Sequence, residues 1–267
     1  GRLMEDTFRW FAGRGITLSR AGSDREYAGR VEGADLSLVL LSAGEIPREL
    51  ASGRIDLGVT GSDLVREKLA GWRSDVRELA PMGFGHADLV IAVPACWRDC
   101  ENLDDFAAIA RQFRASHGFR LRIATKYHRL VRAFLSHHEI ADYQLVDSQG
   151  ATEGTVANLT AEAIADITSS GETLRANHLK ILGDGLILES QATLFASREA
   201  RWDRMGRDRL ERLWAPYRMS YITNRVGETS GAEVAAAIRA IAGAFGRLDP
   251  APGQTLTPVT VFTRENC

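Results

Sequence analysis

The sequence predicts an α/β protein, because short apolar segments of strand type alternate with segments of helical periodicity along most of the chain. "DLVIAVP" (88–94) is typical of a buried strand, whereas "LDDFAAIARQFRASHG" (103–118) repeats its apolar residues at helical spacing. The composition is that of a globular protein, with 267 residues, 45% of them hydrophobic and 25% charged. We therefore expect an α/β fold with largely parallel sheets.

The first part of the chain opens with a helix over "RLMEDTFRWFAGRGI" (2–16), which Gly13 and Gly15 end. A buried strand is expected at "DLSLVLLS" (35–42). The segments that follow are a short helix with a proline near its start, "GEIPRELASGRI" (44–55), and a strand, glycine turn and helix, "DLGVTGSDLV" (56–65). In the last segment we interpret Asp63, like the preceding Asp56, as a turn-capping residue.

The second part continues the alternation. The expected order is strand at "RLRIATKY" (120–127), helix at "HRLVRAFLSHHEI" (128–140), and strand, loop, helix, strand and loop over "YQLVDSQGATEGTVANLTAEAIADITSSGETL" (143–174). "LKILGDGLILESQATLFAS" (179–197) predicts two strands around a turn at Gly183–Gly185. An amphipathic helix is expected at "REARWDRMGRDRLERLW" (198–214).

These elements predict two α/β domains joined near residue 94. Residues 1–93 and about 182–214 form domain I, and residues 94–181 form domain II. Residues 215–267 differ in character, since they contain one helical segment, "GAEVAAAIRAIAGAFGRL" (231–248), and a strand interrupted by Pro258. We expect this short α+β tail to be a docking element or part of a regulatory element.

Charge and cysteine content exclude several classes of protein. The formal net charge is −2, so no overall basic field recruits nucleic acid or an anionic membrane surface. Cys96, Cys100 and Cys267 do not make a disulfide framework, and free thiols indicate a reducing, cytoplasmic compartment. No signal-peptide pattern and no apolar run of membrane-spanning length is present. The chain starts "GRLMEDTF" without an initiator methionine, so we expect it to be trimmed at its front.

Lysine occurs only at Lys68, Lys126 and Lys180, so arginine supplies nearly all of the 33 basic residues. A GC-rich genome explains such a bias. Bidentate contacts between arginine and phosphate explain it as well, and both explanations hold together.

The loop in "ADITSSGETL" (165–174) is the segment with the clearest chemistry. Successive small residues can point several backbone N–H groups at one spot, and Gly171 permits the positive φ that such an anion nest needs. A helix that starts at Glu172 or Thr173 would add its N-terminal dipole. Asp166, at the strand end, suits sugar hydroxyls, so the pattern favours a phosphate monoester beside a ribose diol. An ordinary loop with Ser169 or Ser170 as N-cap is the alternative.

The extended segment "DITSSGETLRANHLKILGDGLILESQA" (166–192) resembles the 5-phosphoribosyl-1-pyrophosphate (PRPP) binding segment of the ATP phosphoribosyltransferase family. Further matches follow in the family's order and together cover roughly residues 1 to 200: "GRL", "DREY", "SGRIDLGVTGSDLV", "GFGHADLVIAVP", "RIATKY" and "GATEG". A single serine–glycine loop is a weak signal, whereas several motifs in the same order are a strong one.

The resemblance implies two periplasmic-binding-protein-like domains with the active site in a cleft between them. It implies the first reaction of histidine biosynthesis, in which N1 of ATP displaces pyrophosphate from PRPP to give phosphoribosyl-ATP. Mg²⁺ would accompany the pyrophosphate, with no metal site fixed by the protein. Since the adenine nitrogen is already a nucleophile, no strong protein base is needed.

The residue roles that the resemblance implies follow the motif positions. Catalytic roles fall to Asp166, Glu153 and Arg2, with Glu153 on the loop that faces the PRPP segment. The PRPP contacts are Asp166, Ser169, Ser170, Gly171, Glu172 and Thr173. Contacts to ATP or pyrophosphate are expected from Arg2, Arg25, Thr60, Gly61 and Lys126. Arg25 and Lys126 are otherwise ordinary solvated surface charges.

Two histidines depart from the family pattern: His178 stands where a small or amide residue is usual, and His128 stands where proline is common. The family's long form carries a regulatory domain that binds histidine. Its short form works with a regulatory subunit resembling histidyl-tRNA synthetase. The tail is too short for a complete regulatory domain, so we expect a homo-oligomer of short-form type with such a subunit as a partner.

Two other functions compete with this interpretation. A non-catalytic two-domain small-ligand-binding protein would show the same order of strands, but it has no need of the loop from Asp166 to Thr173. A DNA-binding regulator with a similar effector domain would need a helix-turn-helix motif or a basic stripe, and neither is visible.

Overall fold

The computed structural model describes residues 2–20, 28–31, 37–148 and 152–199. Their contacts divide the chain into two compact units. The first consists of the described parts of 1–59, 73–81 and 194–199, and the second of 60–72 and the described parts of 82–193. The domain division near residue 94 stays a prediction; the contacts group the strand at 87–94 with the second unit. The predicted helix after residue 200 and the tail at 215–267 lie outside the described residues.

From residue 87 to residue 190, strands and helices alternate as the sequence predicts. The helices are α1 Arg2–Ala12, α2 Ile46–Ala51, α3 Ser62–Lys68, α4 Trp72–Asp75, α5 Leu103–His117, α6 His128–His137, α7 Gly154–Ala157 and α8 Glu172–Ala176. The strands are β1 Leu18–Arg20, β2 Ala28–Val31, β3 Ser37–Val39, β4 Leu57–Gly61, β5 Val76–Pro81, β6 Ala87–Pro94, β7 Leu121–Thr125, β8 Tyr143–Asp147, β9 Ala163–Thr168, β10 Leu179–Ser190 and β11 Ala192–Ser197. The predicted α/β class is confirmed. No helix within the described ranges combines the length and the apolar character needed to cross a bilayer.

The first unit contains the antiparallel sheet β1-β2-β3 and most of the sheet β4-β11-β5. The strand expected over 35–42 is shorter, since its described part ends at Val39. The chain turns soon afterwards because the backbone N–H and hydroxyl of Ser42 donate to the Glu45 carboxylate at 3.0 and 2.6 Å. This turn leads into α2.

The second unit is built on a five-stranded sheet in the order β10-β6-β9-β7-β8. β8, β7 and β9 are mutually parallel, while β6 runs antiparallel to both of its neighbours. The expectation of largely parallel sheets is therefore wrong: four strands of this sheet share one direction but β6 opposes them, and the sheet β1-β2-β3 is antiparallel. Its core on one face contains Phe106 of α5 and Leu135 of α6, both fully buried, and Leu174 of α8 packs on the other face.

The predicted turn at Gly183–Gly185 is wrong, because β10 runs unbroken through it and the chain leaves the strand only at Gln191. The register against β6 shifts between Ile181 and Leu186, which marks a β-bulge. Asp184 in the bulge accepts the Leu103 N–H at 2.8 Å and thereby caps the start of α5. Gly183 and Gly185 thus lie in a bulge, and Asp184 between them binds the start of α5.

Arg122 on β7 and Glu162 form a partly buried ion pair, with the Arg122 Nε donating to Glu162 Oε2 at 3.1 Å. Burial alone would raise the pKa of Glu162, but the hydrogen bonds from the side chain and backbone of Arg122 together hold that pKa below its ordinary value. A carboxyl with a lowered folded-state pKa stabilises the fold at neutral pH, and this contribution is lost as pH falls through that pKa.

We expect Glu162→Gln to lower the thermal midpoint at pH 7 and to differ less from the parent at a pH below the lowered folded-state pKa of Glu162, where the parent carboxyl is protonated as well. Thermal unfolding followed by circular dichroism between the two pH values measures this. If the difference in thermal midpoint between parent and variant does not change with pH, the ionised Glu162 carboxylate is not the source of the stabilisation.

His178 has a φ of +56° directly after Asn177, the C-cap of α8. Glycine and asparagine are favoured at such a left-handed position, which explains why a small or amide residue is usual there. His178→Asn should raise the free energy of unfolding by about 1 kcal/mol, as relief of that strain. Chemical denaturation measures the change. The same substitution at His137, the last residue of α6, is the control and should give no gain; an equal gain there would contradict the explanation.

Candidate functional site

The strands of the second unit bring the candidate residues to one edge of its sheet. β7, β8, β9 and β10 end at this edge, and β6 begins there. Thr125 pairs with Asp147 on one side and with Ala165 on the other, so the segments after these residues lie side by side. Ligands of open α/β sheets bind outside the carboxyl ends of the strands, and this edge is therefore the candidate site.

The predicted phosphate loop connects β9 to α8 at this edge. Gly171 is its turning point, with a φ of +69° and a buried backbone, and it is the N-cap of α8. The Gly171 N–H donates to Thr168 Oγ1 at 2.8 Å, and the Glu172 N–H donates to Ser170 Oγ at 3.3 Å. The N–H groups of Ser169 and Ser170 have no hydrogen bond to any described residue. The loop therefore presents unused donors.

Side-chain exposure supports the same conclusion. Ser169, Ser170, Glu172 and Thr173 are all exposed, so their polar groups face solvent or a ligand. The N-cap is Gly171, whereas the alternative interpretation places Ser169 or Ser170 there. Ser170 instead accepts the N–H of Glu172 within the turn. The N–H groups of Ser169 and Ser170, beside the start of this short helix, suit an anion.

Asp166 lies near the end of β9 and is half-buried. One of its oxygens, Oδ1, accepts the N–H of Ile167 at 2.9 Å. The structure records no hydrogen bond between its second oxygen and the described part of the chain. The Asp166 carboxylate is thus fixed on one side and available on the other, as a carboxylate that accepts from sugar hydroxyls must be.

The loop after β8 borders the same edge and carries Glu153. A buried hydroxyl pair, Ser148 and Thr152 at 2.8 Å, ties the two ends of this loop together. Glu153 is the N-cap residue of α7, but its carboxylate makes no capping hydrogen bond and is partly exposed. Residues 149–151 between them lie outside the described chain. Glu153 is therefore placed at the candidate site with its carboxylate free of the helix.

A buried network that sequence reasoning missed lies beside Lys126. The Tyr127 hydroxyl donates to Asp63 Oδ2 and the Ser190 hydroxyl donates to Asp63 Oδ1, both at 2.7 Å. Burial, followed by the negative charge of Asp63, raises the pKa of Tyr127 well above its ordinary value, so the phenol stays neutral and donates. Asp63 was interpreted as a turn cap; it is instead an acceptor that joins three elements.

Thr60 and Gly61 end β4 next to this network. Thr60 is fully buried. A Cβ on Gly61 would clash with Asp63 Oδ1, so the Asp63 carboxylate requires glycine there. This packing explains why residue 61 is glycine without reference to any ligand. The contacts of Thr60 and Gly61 with ATP or pyrophosphate stay predictions.

Two predicted phosphate-binding arginines are not placed by the structure. Arg25 lies outside the described residues, and Arg2 begins α1 in the first unit with a side chain whose position is not described. Lys126 follows β7 and is exposed. Of the predicted cations, Lys126 is the one that the described chain places at this edge of the sheet, directly after Thr125.

His128, the second departure from the family pattern, has a structural partner. Its Nε2 lies 2.6 Å from Asp147 Oδ1 at the end of β8. The pair connects the start of α6 to the neighbouring strand. The imidazole therefore has a structural use that proline could not supply.

Comparisons with known proteins agree on one family. A family model described as ATP phosphoribosyltransferase (HisG) matches residues 42–216. A Cereibacter sphaeroides protein named ATP phosphoribosyltransferase is 72% identical over 203 residues, covering 76% of this chain and 86% of the relative. A Sinorhizobium medicae protein of the same name is 49% identical over 220 residues, covering 82% of this chain and 94% of the relative.

Among solved structures, the ATP phosphoribosyl transferase (HisG:HisZ) complex from Thermotoga maritima contains a chain with the same fold, at a TM-score of 0.60 and 21% identity. The match covers 81% of this chain and 94% of that one. Together, the family model and the identities to the bacterial relatives show that this chain belongs to the ATP phosphoribosyltransferase family.

Proposed function

We propose that this chain is an ATP phosphoribosyltransferase that joins N1 of ATP to C1 of PRPP and releases pyrophosphate, the first step of histidine biosynthesis. The observation that carries the proposal is the Asp166–Thr173 segment, where a half-buried carboxylate lies beside a loop with unused N–H donors. Family membership supports the same activity.

Binding of the phosphoribosyl group uses two kinds of contact. The N–H groups of Ser169 and Ser170, the exposed hydroxyls and the start of α8 receive the 5-phosphate. Asp166 accepts hydrogen bonds from the ribose hydroxyls with its second oxygen. Because the loop is held by the bond from Gly171 to Thr168 Oγ1, the donors are oriented before the substrate arrives, which lowers the cost of binding.

Catalysis rests on orientation and electrostatics. Displacement at the anomeric carbon develops positive charge on the ribose ring, and the carboxylates of Asp166 and Glu153 stabilise that charge from two loops of the same sheet edge. The cation of Lys126 assists departure of the negatively charged pyrophosphate. The attacking nitrogen has a lone pair, so the site needs no general base to begin the reaction.

The residues fit a Mg²⁺ ion that arrives with the substrate. Within the described ranges no cluster of three or more His, Cys, Asp or Glu side chains could hold a metal, but Mg²⁺ commonly binds through one or two carboxylates together with substrate phosphates. Asp166 or Glu153 could be such a ligand. The ion would supply neutralisation of the charge on the leaving pyrophosphate.

We also propose a cytoplasmic homo-oligomer that works with a regulatory subunit resembling histidyl-tRNA synthetase. The Thermotoga maritima relative was solved as a HisG:HisZ complex, which supports a two-component enzyme. The alternative, a non-catalytic ligand-binding protein, is not favoured, because the close relatives carry the name of an enzyme.

A direct assay tests the proposal. Purified protein, with the regulatory subunit added where turnover needs it, is mixed with ATP, PRPP and Mg²⁺, and the ultraviolet absorbance is followed as N1 becomes alkylated. We expect an absorbance increase that requires both substrates. Correctly folded protein that binds PRPP but forms no product would support the non-catalytic alternative.

A further inference from the structure

Two acidic residues on α3 hold the start of α6. Asp63 and Glu67 lie one helical turn apart, and so they share a face of the helix. The two carboxylate oxygens of Glu67 accept the N–H groups of Arg129 and Leu130, each at 3.0 Å. First-turn N–H groups lack partners within their own helix, and the N-cap residue of α6 supplies no side-chain cap. Glu67 therefore caps α6 from a separate helix.

Asp63 holds the residue immediately before α6. Its carboxylate accepts hydrogen bonds from the hydroxyls of Tyr127 and Ser190, and its own N–H donates to Ser190 Oγ at 3.1 Å. The Asp63 and Tyr127 side chains are both buried, with 5% exposure each, so these bonds are shielded from water. The Tyr127 N–H also donates to Thr125 Oγ1 at 2.9 Å. The turn from β7 into α6 is therefore held both by the backbone N–H and by the phenol hydroxyl of Tyr127.

The residue inside this fixed turn is Lys126. It follows Thr125, which pairs with Ala165, so the next residue along β9 is Asp166 of the candidate site. The negative charge of Asp166 also contributes to the raised pKa of Tyr127, which places the turn within electrostatic range of that carboxylate. Lys126 is exposed while the residues on both sides of it are buried.

We infer that Asp63, Glu67 and Tyr127 are positioning residues that hold Lys126 against the phosphoribosyl site, and that they act on PRPP affinity through this lysine. The inference rests on the proposed function. A lysine side chain is a flexible point charge, so its contribution to a polyphosphate depends on how well its backbone is held. A fixed backbone reduces the ordering that binding requires.

A double-mutant cycle tests this inference. PRPP with Mg²⁺ is titrated calorimetrically into the full chain in the absence of ATP, so that binding is measured without turnover. We expect Lys126→Ala and Tyr127→Phe each to weaken PRPP binding about three- to tenfold. In the Lys126→Ala background, Tyr127→Phe should weaken binding less than about twofold further, because the lysine through which it acts is gone.

Glu67→Gln repeats the cycle through a different contact and keeps the test decisive if Tyr127→Phe fails to fold. Tyr143→Phe is the matched control, since Tyr143 is a partly buried tyrosine of the same unit on β8; it should leave PRPP affinity unchanged. Additive losses in both cycles would overturn the inference, because a general structural defect weakens binding whether or not Lys126 is present. Parent protein that fails to bind PRPP would instead refute the proposed function, and the inference with it.

Discussion

Replacing Asp166 with alanine is expected to reduce kcat/KM for PRPP by about 10²–10³-fold, the range seen when one preorganised electrostatic contact at a transition state is removed. The carboxylate lies near the end of β9 with one oxygen held by the Ile167 N–H. Its second oxygen is the group we assign to the ribose hydroxyls and to the positive charge that develops on the ring. Initial rates at varied PRPP and saturating ATP measure the loss.

The fold should tolerate this change, because Asp166 is half-exposed and its recorded hydrogen bond is to the next residue in the chain. The thermal midpoint should therefore stay close to that of the parent. Asp104→Ala is the control: it removes another exposed carboxylate of the second unit, on α5, and should leave the rate unchanged. Parent-like turnover in Asp166→Ala would refute the ribose role.

Gly171→Val should weaken PRPP binding by about tenfold or more. A β-branched residue at a φ of +69° is strained by about 1–2 kcal/mol, and each 1.4 kcal/mol of lost binding energy is about tenfold in affinity. The new Cβ would also lie 3.0 Å from the Arg175 Nη1 and 3.4 Å from the Ile181 side chain. The loop can relieve this strain only by a change in the backbone conformation of residue 171, and that change moves the N–H groups that receive the phosphate.

Gly118→Val separates the effect on the loop from general strain. Gly118 has a φ of +76°, caps the end of α5 and has open space where its Cβ would be. Both valine variants should lose stability in chemical denaturation, but only Gly171→Val should lose affinity in a PRPP titration. Equal affinity in the two variants would show that the loop does not bind the phosphate.

The sequence predicted the elements around the candidate site because local signals were strong there. α5 begins at a capping box in which Asn102 and Asp105 exchange hydrogen bonds, and it ends at Gly118. Local sequence signals therefore mark both ends of this helix. The loop after β9 was found for a similar reason: Gly171 and its hydroxyl neighbours are consecutive residues. Features built from adjacent residues can be found by inspection of the sequence.

The long-range features could not be found in that way. The network of Asp63, Tyr127 and Ser190 joins residues up to 127 positions apart, and nothing local pairs them. The one available signal was the spacing of Asp63 and Glu67 on a short helix after a glycine turn. The bulge in β10 was misread as a turn, because a glycine pair in an apolar segment is equally typical of a hairpin. Pairing with β6 decides between these outcomes.

NMR spectroscopy of the product shows whether this chain forms a bond between N1 of ATP and C1 of the phosphoribosyl group. ATP labelled with ¹⁵N at N1 and PRPP labelled with ¹³C at C1 are incubated with the protein, Mg²⁺ and the regulatory subunit. We expect a product with a one-bond coupling between the two labels, together with free pyrophosphate. Labelled ribose 5-phosphate without any coupling to nitrogen, or unreacted PRPP bound to folded protein, would contradict it.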